Sequence, residues 1–337
     1  MAKVKVKTGK RFRASRADEH YDTIVIGSGM GGLTTAAFLS LLGKKVCVLE
    51  QHYTAGGYTH AYEREGYEWD VGVHYVGEVH KPSTLRRVFD VISEGRLQWA
   101  AMEDEYDKVI IGKDEYSFIA GRENFSNMLK ERFPGEDKVI DQYIQLIRDI
   151  SRYTPKFFAG QGMPHWMAGL YNKIRPFLVP KEFFQTTRDV LEGLTSNQAL
   201  ISVLTGQWGN YGQAPADAAF LMHALIAKHY LAGGAYPVGG SSEIARSIIP
   251  TIQKNGGEVF TYADVDEVLI KNNKAYGVRM ACGAEISADN IVSNAGFYNT
   301  VKKLLPSDVQ SRLGVDSWIK QVSPSSAHFC IYAGFKG

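Results

Sequence analysis

The sequence predicts an α/β fold built on a Rossmann-like, dinucleotide-binding domain, and three observations carry that expectation. The apolar run TIVI at 23–26 leads straight into Gly27-x-Gly29-x-x-Gly32, a helix-forming stretch follows at 33–42, and a second apolar run, KVCVL, ends on the acid Glu50. Strand, glycine turn, helix, strand and terminal acid together make a complete βαβ unit.

Each part of the unit has a physical role. Gly27 permits the tight turn off the first strand, Gly29 presents no Cβ to an approaching pyrophosphate, and Gly32 lets the helix pack close to the sheet. Unpaired N–H groups at the start of a helix face an anion. The whole turn, Gly27, Ser28, Gly29, Met30, Gly31 and Gly32, is therefore assigned to the cofactor. Gly43 stops the helix. Glu50, with Gln51 beside it, stands where a carboxylate accepts from ribose hydroxyls and repels a 2′-phosphate. That favours FAD or NAD over NADP.

Length and composition bound the rest. At 337 residues, with 45% apolar and 12% aromatic content, the chain has room for about two domains and a large core. A net charge of +2 gives no nucleic-acid signal. The exception is the start, where Lys3, Lys5, Lys7, Lys10, Arg11, Arg13 and Arg16 precede the first acid, Asp18. No apolar stretch follows them, so residues 1–20 read as a disordered basic tail rather than a secretory signal or anchor, with contact to an anionic membrane surface as the sharper alternative. The apolar run at 218–227 is interrupted by His223 and too short to span a bilayer. Cys47, Cys282 and Cys330 lack CxxC spacing, which points to a reducing, cytoplasmic setting with no disulfide and no metal.

Beyond Glu50, a loop containing Gly56-Gly57 permits backbone close to a ligand, and YEWDVGVHY at 67–75 alternates as a strand would. Extended pieces around RLQWAAM, DKVIIG and EYSFIAG suggest one antiparallel sheet lying over the first domain. From about 122 to 231 the pattern is helical, with Val139, Ile140, Tyr143, Ile144, Ile147 and Ile150 on one face. Residues 155–184 are rich in aromatics and prolines with interleaved cations. They read as a helical cap over its own core or as a lipid-facing surface. A glycine turn, a helix from near Ser241 to Gly256-Gly257 and further strands ending at Asn294 return to βα chemistry.

IGSGMGGL, LEQHYTAGGYTHAYEREGYEWDVGVHYVG, GGAYPVGGSSEIA and ADNIVSNAG together resemble the FAD-dependent polyene oxidoreductases: phytoene desaturases, carotenoid isomerases and retinol saturases. The likeness runs from about Tyr21 onward and is strongest to the retinol saturase branch. It implies a discontinuous FAD-binding domain, 21–80 with 232–296, and an inserted α+β substrate-binding or cap domain, 81–231 with 297–337. Under that likeness Glu50 binds the adenosine ribose, Gly57 lies near the pyrophosphate, the Val265 backbone meets adenine, and Asn294 closes the domain. Retinol saturases carry an arginine where this sequence has Val238. The family's further C-terminal flavin-binding segment is expected beyond Gly337, with CIYAGFKG reading as part of a strand.

The chemistry implied by the resemblance is hydride exchange between flavin N5 and a carbon–carbon double bond of an apolar isoprenoid polyene, with NAD(P)H as one electron source. His74, Tyr75 and His229 are the candidate catalytic residues, with His223 and Tyr230 as further acids weighed against core roles. Asp70 and Asp217 read as structural. The absence of GxSxG, HExxH and P-loop patterns leaves hydrolase and kinase readings without support. A non-catalytic prenyl-binding protein of the Rab GDP-dissociation-inhibitor type shares the architecture and stands as the alternative.

Overall fold

The computed structural model describes residues 7–320 and 325–335. The chain opens with β1 (Lys10–Arg11), β2 (His20–Ile26), α1 (Met30–Leu41) and β3 (Val46–Leu49). A hairpin of β4 (Ala61–Arg64) and β5 (Tyr67–Asp70) follows, then α2 (Thr84–Ile92), β6 (Trp99–Ala101), β7 (Glu105–Ile111) and β8 (Asp114–Ile119). The middle is helical: α3 (Arg122–Arg132), α4 (Asp137–Phe158), α5 (His165–Ile174), α6 (Thr187–Leu194), α7 (Gln198–Leu204) and α8 (Phe220–Tyr230). After β9 (Ala235–Pro237) and α9 (Ser242–Gln253) come β10 (Glu258–Thr261), β11 (Val265–Lys271), β12 (Lys274–Met280) and β13 (Glu285–Ser293).

Among the described residues, one seven-stranded sheet runs in the order β1-β10-β3-β2-β13-β12-β11. The first five strands are mutually parallel, and β12 and β11 add antiparallel at one edge. Parallel strands buried on both faces must be apolar throughout, which is why VCVL and TIVI have no polar alternation. Val25, Val46 and Val48 meet Leu33, Ala36 and Ala37 of α1 and Ile244, Ile248 and Ile252 of α9. On the other face Ile24, Ile26, Cys47 and Leu49 pack with Phe260, Val268 and Val278. Small residues let α1 and α9 approach: the buried Ser40 hydroxyl lies 3.1 Å from the carbonyls of Thr251 and Ile252.

A second core belongs to the cap. Ile140, Tyr143, Ile147 and Ile150 of α4 are buried against Phe220, Leu221 and Ala224 of α8, with Val139 and Ile144 at the margin. This is the helix face that the apolar spacing predicts.

Several expectations need correction. The basic segment read as a disordered tail is ordered from Lys7 onward: β1 pairs with β10, and the buried Thr8 binds Thr54 and Ala55 through its backbone N–H and hydroxyl. Residues 1–6 lie outside the described residues. The strand expected over 67–75 ends at Asp70. The supposed single antiparallel sheet is two separate ladders, β7 with β8 and β6 with β9. The domain edge placed at residue 80 falls too early, because Phe89, Ile92 and Leu97 complete the core under α1 and α9. Leu304 and Leu305 likewise pack on the sheet rather than in the cap. Residues 325–335, expected to include a strand, have no regular secondary structure; 336–337 lie outside the described residues.

Candidate functional site

Three segments meet at the carboxyl ends of the central parallel strands, where open α/β sheets place their ligands. Gly27 follows β2, Glu50 follows β3 and Asn294 follows β13, and backbone bonds lock them together: Gly27 N–H to Leu49 O at 2.8 Å and Asn294 N–H to Ile26 O at 2.7 Å. Gly27 takes a φ of +95°, a conformation that glycine adopts without cost. A Cβ on Gly32 would stand 2.1 Å from the Gly27 carbonyl oxygen, so only glycine allows α1 to start this close to the turn.

The turn is closed by a second loop. A Cβ on Gly57, whose φ is +56°, would fall 2.7 Å from Gly29 Cα. The Asn294 amide covers the other side, within 2.7–3.1 Å of where side chains on Gly31 and Gly29 would begin. Gly29 caps α1 without a side-chain bond, and the first turn holds no acid. The first N–H groups of the helix are left without a capping side chain, beside the Gly57 backbone and the Asn294 amide.

Glu50 is the buried charge of the site, 8% exposed. One carboxylate oxygen accepts from both the N–H and the hydroxyl of Ser28, at 2.9 and 2.6 Å, and the other accepts from His52 N–H at 2.9 Å. The Ser28 hydroxyl in turn accepts from Gly56 N–H at 3.1 Å. Of the carboxylate's roughly four acceptor sites three are taken, and the oxygen bonded to His52 N–H keeps one for a ribose hydroxyl. Ala263 N–H bonds to the Glu50 carbonyl at 2.8 Å, which brings Val265 at the start of β11 to the same edge. Gln51 is exposed, and the Met30 sulfur lies 4.0 Å from the Thr59 hydroxyl. Cradle, helix start and buried acceptor fit the ADP half of a dinucleotide.

The catalytic candidates gather one loop away. Gly72 presses on Tyr58, the residue after Gly57, and His74 and Tyr75 follow. The Tyr75 hydroxyl donates to Asp107 at 2.6 Å, an oxygen that Gln207 also reaches at 2.8 Å. Burial, then the bond to Asp107, holds the Tyr75 phenol far above its ordinary range. His74 is exposed, bonded through Nε2 to Asn210 at 3.1 Å, and its ring lies 4.4 Å from that of Tyr75. Tyr230 packs 4.9 Å from Tyr75, and burial pushes its phenol up to about 12.

His229 is occupied otherwise. Its Nε2 accepts from Gly77 N–H at 2.8 Å and its Nδ1 stands 3.7 Å from Glu78. Bonding to His229 and then Lys228 holds the Glu78 carboxyl down at about 2. His223 is a core residue bonded to Tyr143 at 2.9 Å, and burial lowers it to about 4. Sequence reasoning missed Asp107, Gln207 and Asn210, which reach the 74–75 pair from β7 and from the turn that follows α7, with no local signal. Asp70 anchors the loop of β9 by accepting from the hydroxyls of Tyr236 and Ser241. A cleft of about 320 Å³ opens nearby, lined among others by Val76, Trp99, Met102 and Ala235. Trp99 Nε1 is buried with no hydrogen-bond partner among the described residues.

Fold and site together define an α/β protein of the Rossmann type with a dinucleotide-binding glycine turn, and residues 25–92 match the family described as "NAD(P)-binding Rossmann-like domain". All-trans-retinol 13,14-reductase of Danio rerio is 38% identical over 350 residues, covering 99% of this chain and 57% of the relative. Prolycopene isomerase of Daucus carota is 29% identical over 86% of this chain and 48% of its own length. An oxidoreductase of known structure from Methanosarcina mazei superposes with a TM-score of 0.61 at 19% identity, over 88% of this chain and 64% of that one, which shows the shared fold. The chain belongs to the family of the all-trans-retinol 13,14-reductases and prolycopene isomerases. It spans about half the length of the curated relatives it matches. Among the described residues, no helix is long and apolar enough to cross a membrane, and no cluster of His, Cys, Asp or Glu could hold a metal.

Proposed function

We propose that this chain holds the ADP half of FAD and serves an oxidoreductase that saturates a carbon–carbon double bond of an apolar isoprenoid polyene. The observation that carries the reading is the convergence of Gly29, Gly57 and the buried Glu50 at the carboxyl edge of the sheet. Helix α1 would hold the diphosphate through its first N–H groups, Glu50 the ribose, and the backbone near Val265 the adenine. Bound flavin would supply hydride, drawn from a reduced nicotinamide nucleotide.

The chain's own task is then to place a proton on the neighbouring carbon. His74 is the best-suited donor. Tyr75 has its proton committed to Asp107, and His229 has both nitrogens engaged. With Nε2 donating to Asn210 Oδ1, Nδ1 of His74 makes no hydrogen bond among the described residues and would offer the proton of the imidazolium form, and the ring sits at the edge of the aromatic cluster of Tyr75 and Tyr230. Desaturation or isomerisation of a carotenoid would use the same groups. The curated relatives named as reductases and isomerases favour an enzyme over a non-catalytic prenyl carrier.

A polyene partitions into membranes, so we infer a protein in contact with a bilayer surface. The test is direct. Purified protein should carry flavin absorbance and release FAD on heating. Anaerobic incubation of the reduced protein with retinol and with a carotene should then yield a dihydro product from one of them. Colourless protein that cannot be reconstituted with FAD overturns the reading.

A further inference from the structure

Helix α5 and the turn after it carry their apolar residues outward. Trp166, Leu170 and Ile174 recur at the i, i+4, i+8 spacing of one helix face and are 76%, 63% and 46% exposed, and Phe177 in the turn Arg175–Phe177 is 87% exposed. The attachment of α5 to the rest of the chain is polar and aromatic. The Tyr171 hydroxyl donates to the Lys156 carbonyl, and the Arg175 guanidinium lies 4.5 Å from the centre of the Phe157 ring. A surface helix ordinarily buries its apolar stripe against the core. This one presents it to the outside, and exposed patches of this kind mark interaction sites.

Charge selects the partner. Lys156, Lys173, Arg175 and Lys181 belong to the same stretch of chain as the patch, and Glu182 is the one acid between residues 156 and 184. A second copy of the chain would bring these cations against each other. A bilayer with anionic headgroups accepts both halves of the pattern, aromatic and aliphatic side chains at the acyl boundary and lysines at the phosphates.

We propose that α5 and the Arg175–Phe177 turn form a membrane-docking surface specific for anionic bilayers. Trp166, Leu170, Ile174 and Phe177 enter the interface, and Lys173 and Lys181 meet the headgroups. The proposal rests on the membrane contact inferred above and names the face that makes it. It stands whichever polyene is the substrate.

The test is co-sedimentation of the purified chain with vesicles of phosphatidylcholine alone and of phosphatidylcholine mixed with phosphatidylserine. The wild type should pellet with the mixed vesicles. Trp166→Ala/Leu170→Ala/Phe177→Ala should bind them at least about tenfold more weakly, since interfacial affinity follows the apolar area inserted. Its melting temperature should be unchanged. Leu42→Ala, which removes an apolar side chain 78% exposed at the end of α1, should bind as the wild type does. Lys173→Gln/Lys181→Gln should lose the preference for phosphatidylserine. If the wild type stays in solution with both vesicles, membrane contact itself fails. If the wild type pellets and the triple variant pellets equally, contact stands and α5 is the wrong face. Self-association of the wild type that the triple variant abolishes, without vesicle binding, assigns the face to a second copy instead.

Discussion

Ser28 gives two hydrogen bonds to a single oxygen of Glu50, one from its backbone N–H at 2.9 Å and one from its hydroxyl at 2.6 Å, and both residues are buried. The same hydroxyl accepts from Gly56 N–H at 3.1 Å. One serine therefore ties the glycine turn, Glu50 and the second glycine loop into a single unit. Glu50 is held in place before any ligand arrives, which lowers the ordering cost of binding.

Ser28→Ala removes the hydroxyl, which orphans the buried Gly56 N–H and takes one of two donors from the Glu50 oxygen. It should lower stability by about 1–3 kcal/mol and weaken FAD retention with it. A double-mutant cycle with Glu50→Gln, read by denaturant melts, should give a coupling energy of about 0.5–3 kcal/mol. Additive effects would mean that the two residues act independently.

Gly57→Ala tests the contact between the two loops. A methyl group there would sit 2.7 Å from Gly29 Cα at a φ of +56°, so loop and turn must separate. The left-handed conformation alone costs roughly 1–2 kcal/mol for a residue with a Cβ. FAD content per mole of purified protein should fall sharply, more than that of Gly66→Ala, where a Cβ meets open space at a similar φ of +85°. Equal flavin content in the two variants would detach Gly57 from the site.

Stability should fall with pH in two separate windows. His223 is nearly fully buried and its pKa is lowered from 6.5 to about 4, so between those values the unfolded chain binds a proton that the folded chain refuses. Stability is fully present above about 6.5 and is lost as pH drops toward 4, by about 3 kcal/mol at most. Glu78 is lowered from 4.5 to about 2 by His229 and Lys228, and its contribution is lost only below 4.5. Denaturant midpoints measured from pH 7 to pH 4.5 should be flatter in His223→Gln than in the wild type. Parallel curves would assign the upper window to other groups.

The sequence carries the parts of the site whose constraints are local. A tight turn, a close helix and a buried strand each demand a residue type within a few positions, so Gly27, Gly32 and the VCVL strand could be read directly. Contacts made across the fold leave no such trace. Alternation from Tyr67 to Tyr75 continues past Asp70 in sequence but not in space, because the Asp70 carboxylate is taken by Tyr236 and Ser241 and Gly72 is pressed on Tyr58. The basic start looked like solvated tail because two-residue β1 has no periodicity; its order comes from Thr8 and Thr54, 46 positions apart. The partners of Tyr75, Asp107 and Gln207, lie 32 and 132 positions away.

The three catalytic candidates can be separated by what each substitution changes. Removing a general acid lowers turnover by about 10²- to 10⁴-fold, whereas exposed surface substitutions leave stability within about 0.5 kcal/mol. His74 is exposed and among the described residues its one hydrogen bond is to Asn210, so His74→Ala should lower turnover by that factor with a nearly unchanged melt. Tyr75→Phe deprives one Asp107 oxygen of its donor at 2.6 Å and leaves that oxygen only Gln207, while Lys108 N–H still holds the other; it should cost about 1–3 kcal/mol of stability and little rate. His229→Ala orphans the Gly77 N–H and strips Glu78 of a partner, and it too should register in the melt first. Turnover of a polyene by the three variants, measured beside their thermal unfolding, decides the assignment. A His74→Ala protein with full activity would move the proton donor away from this loop.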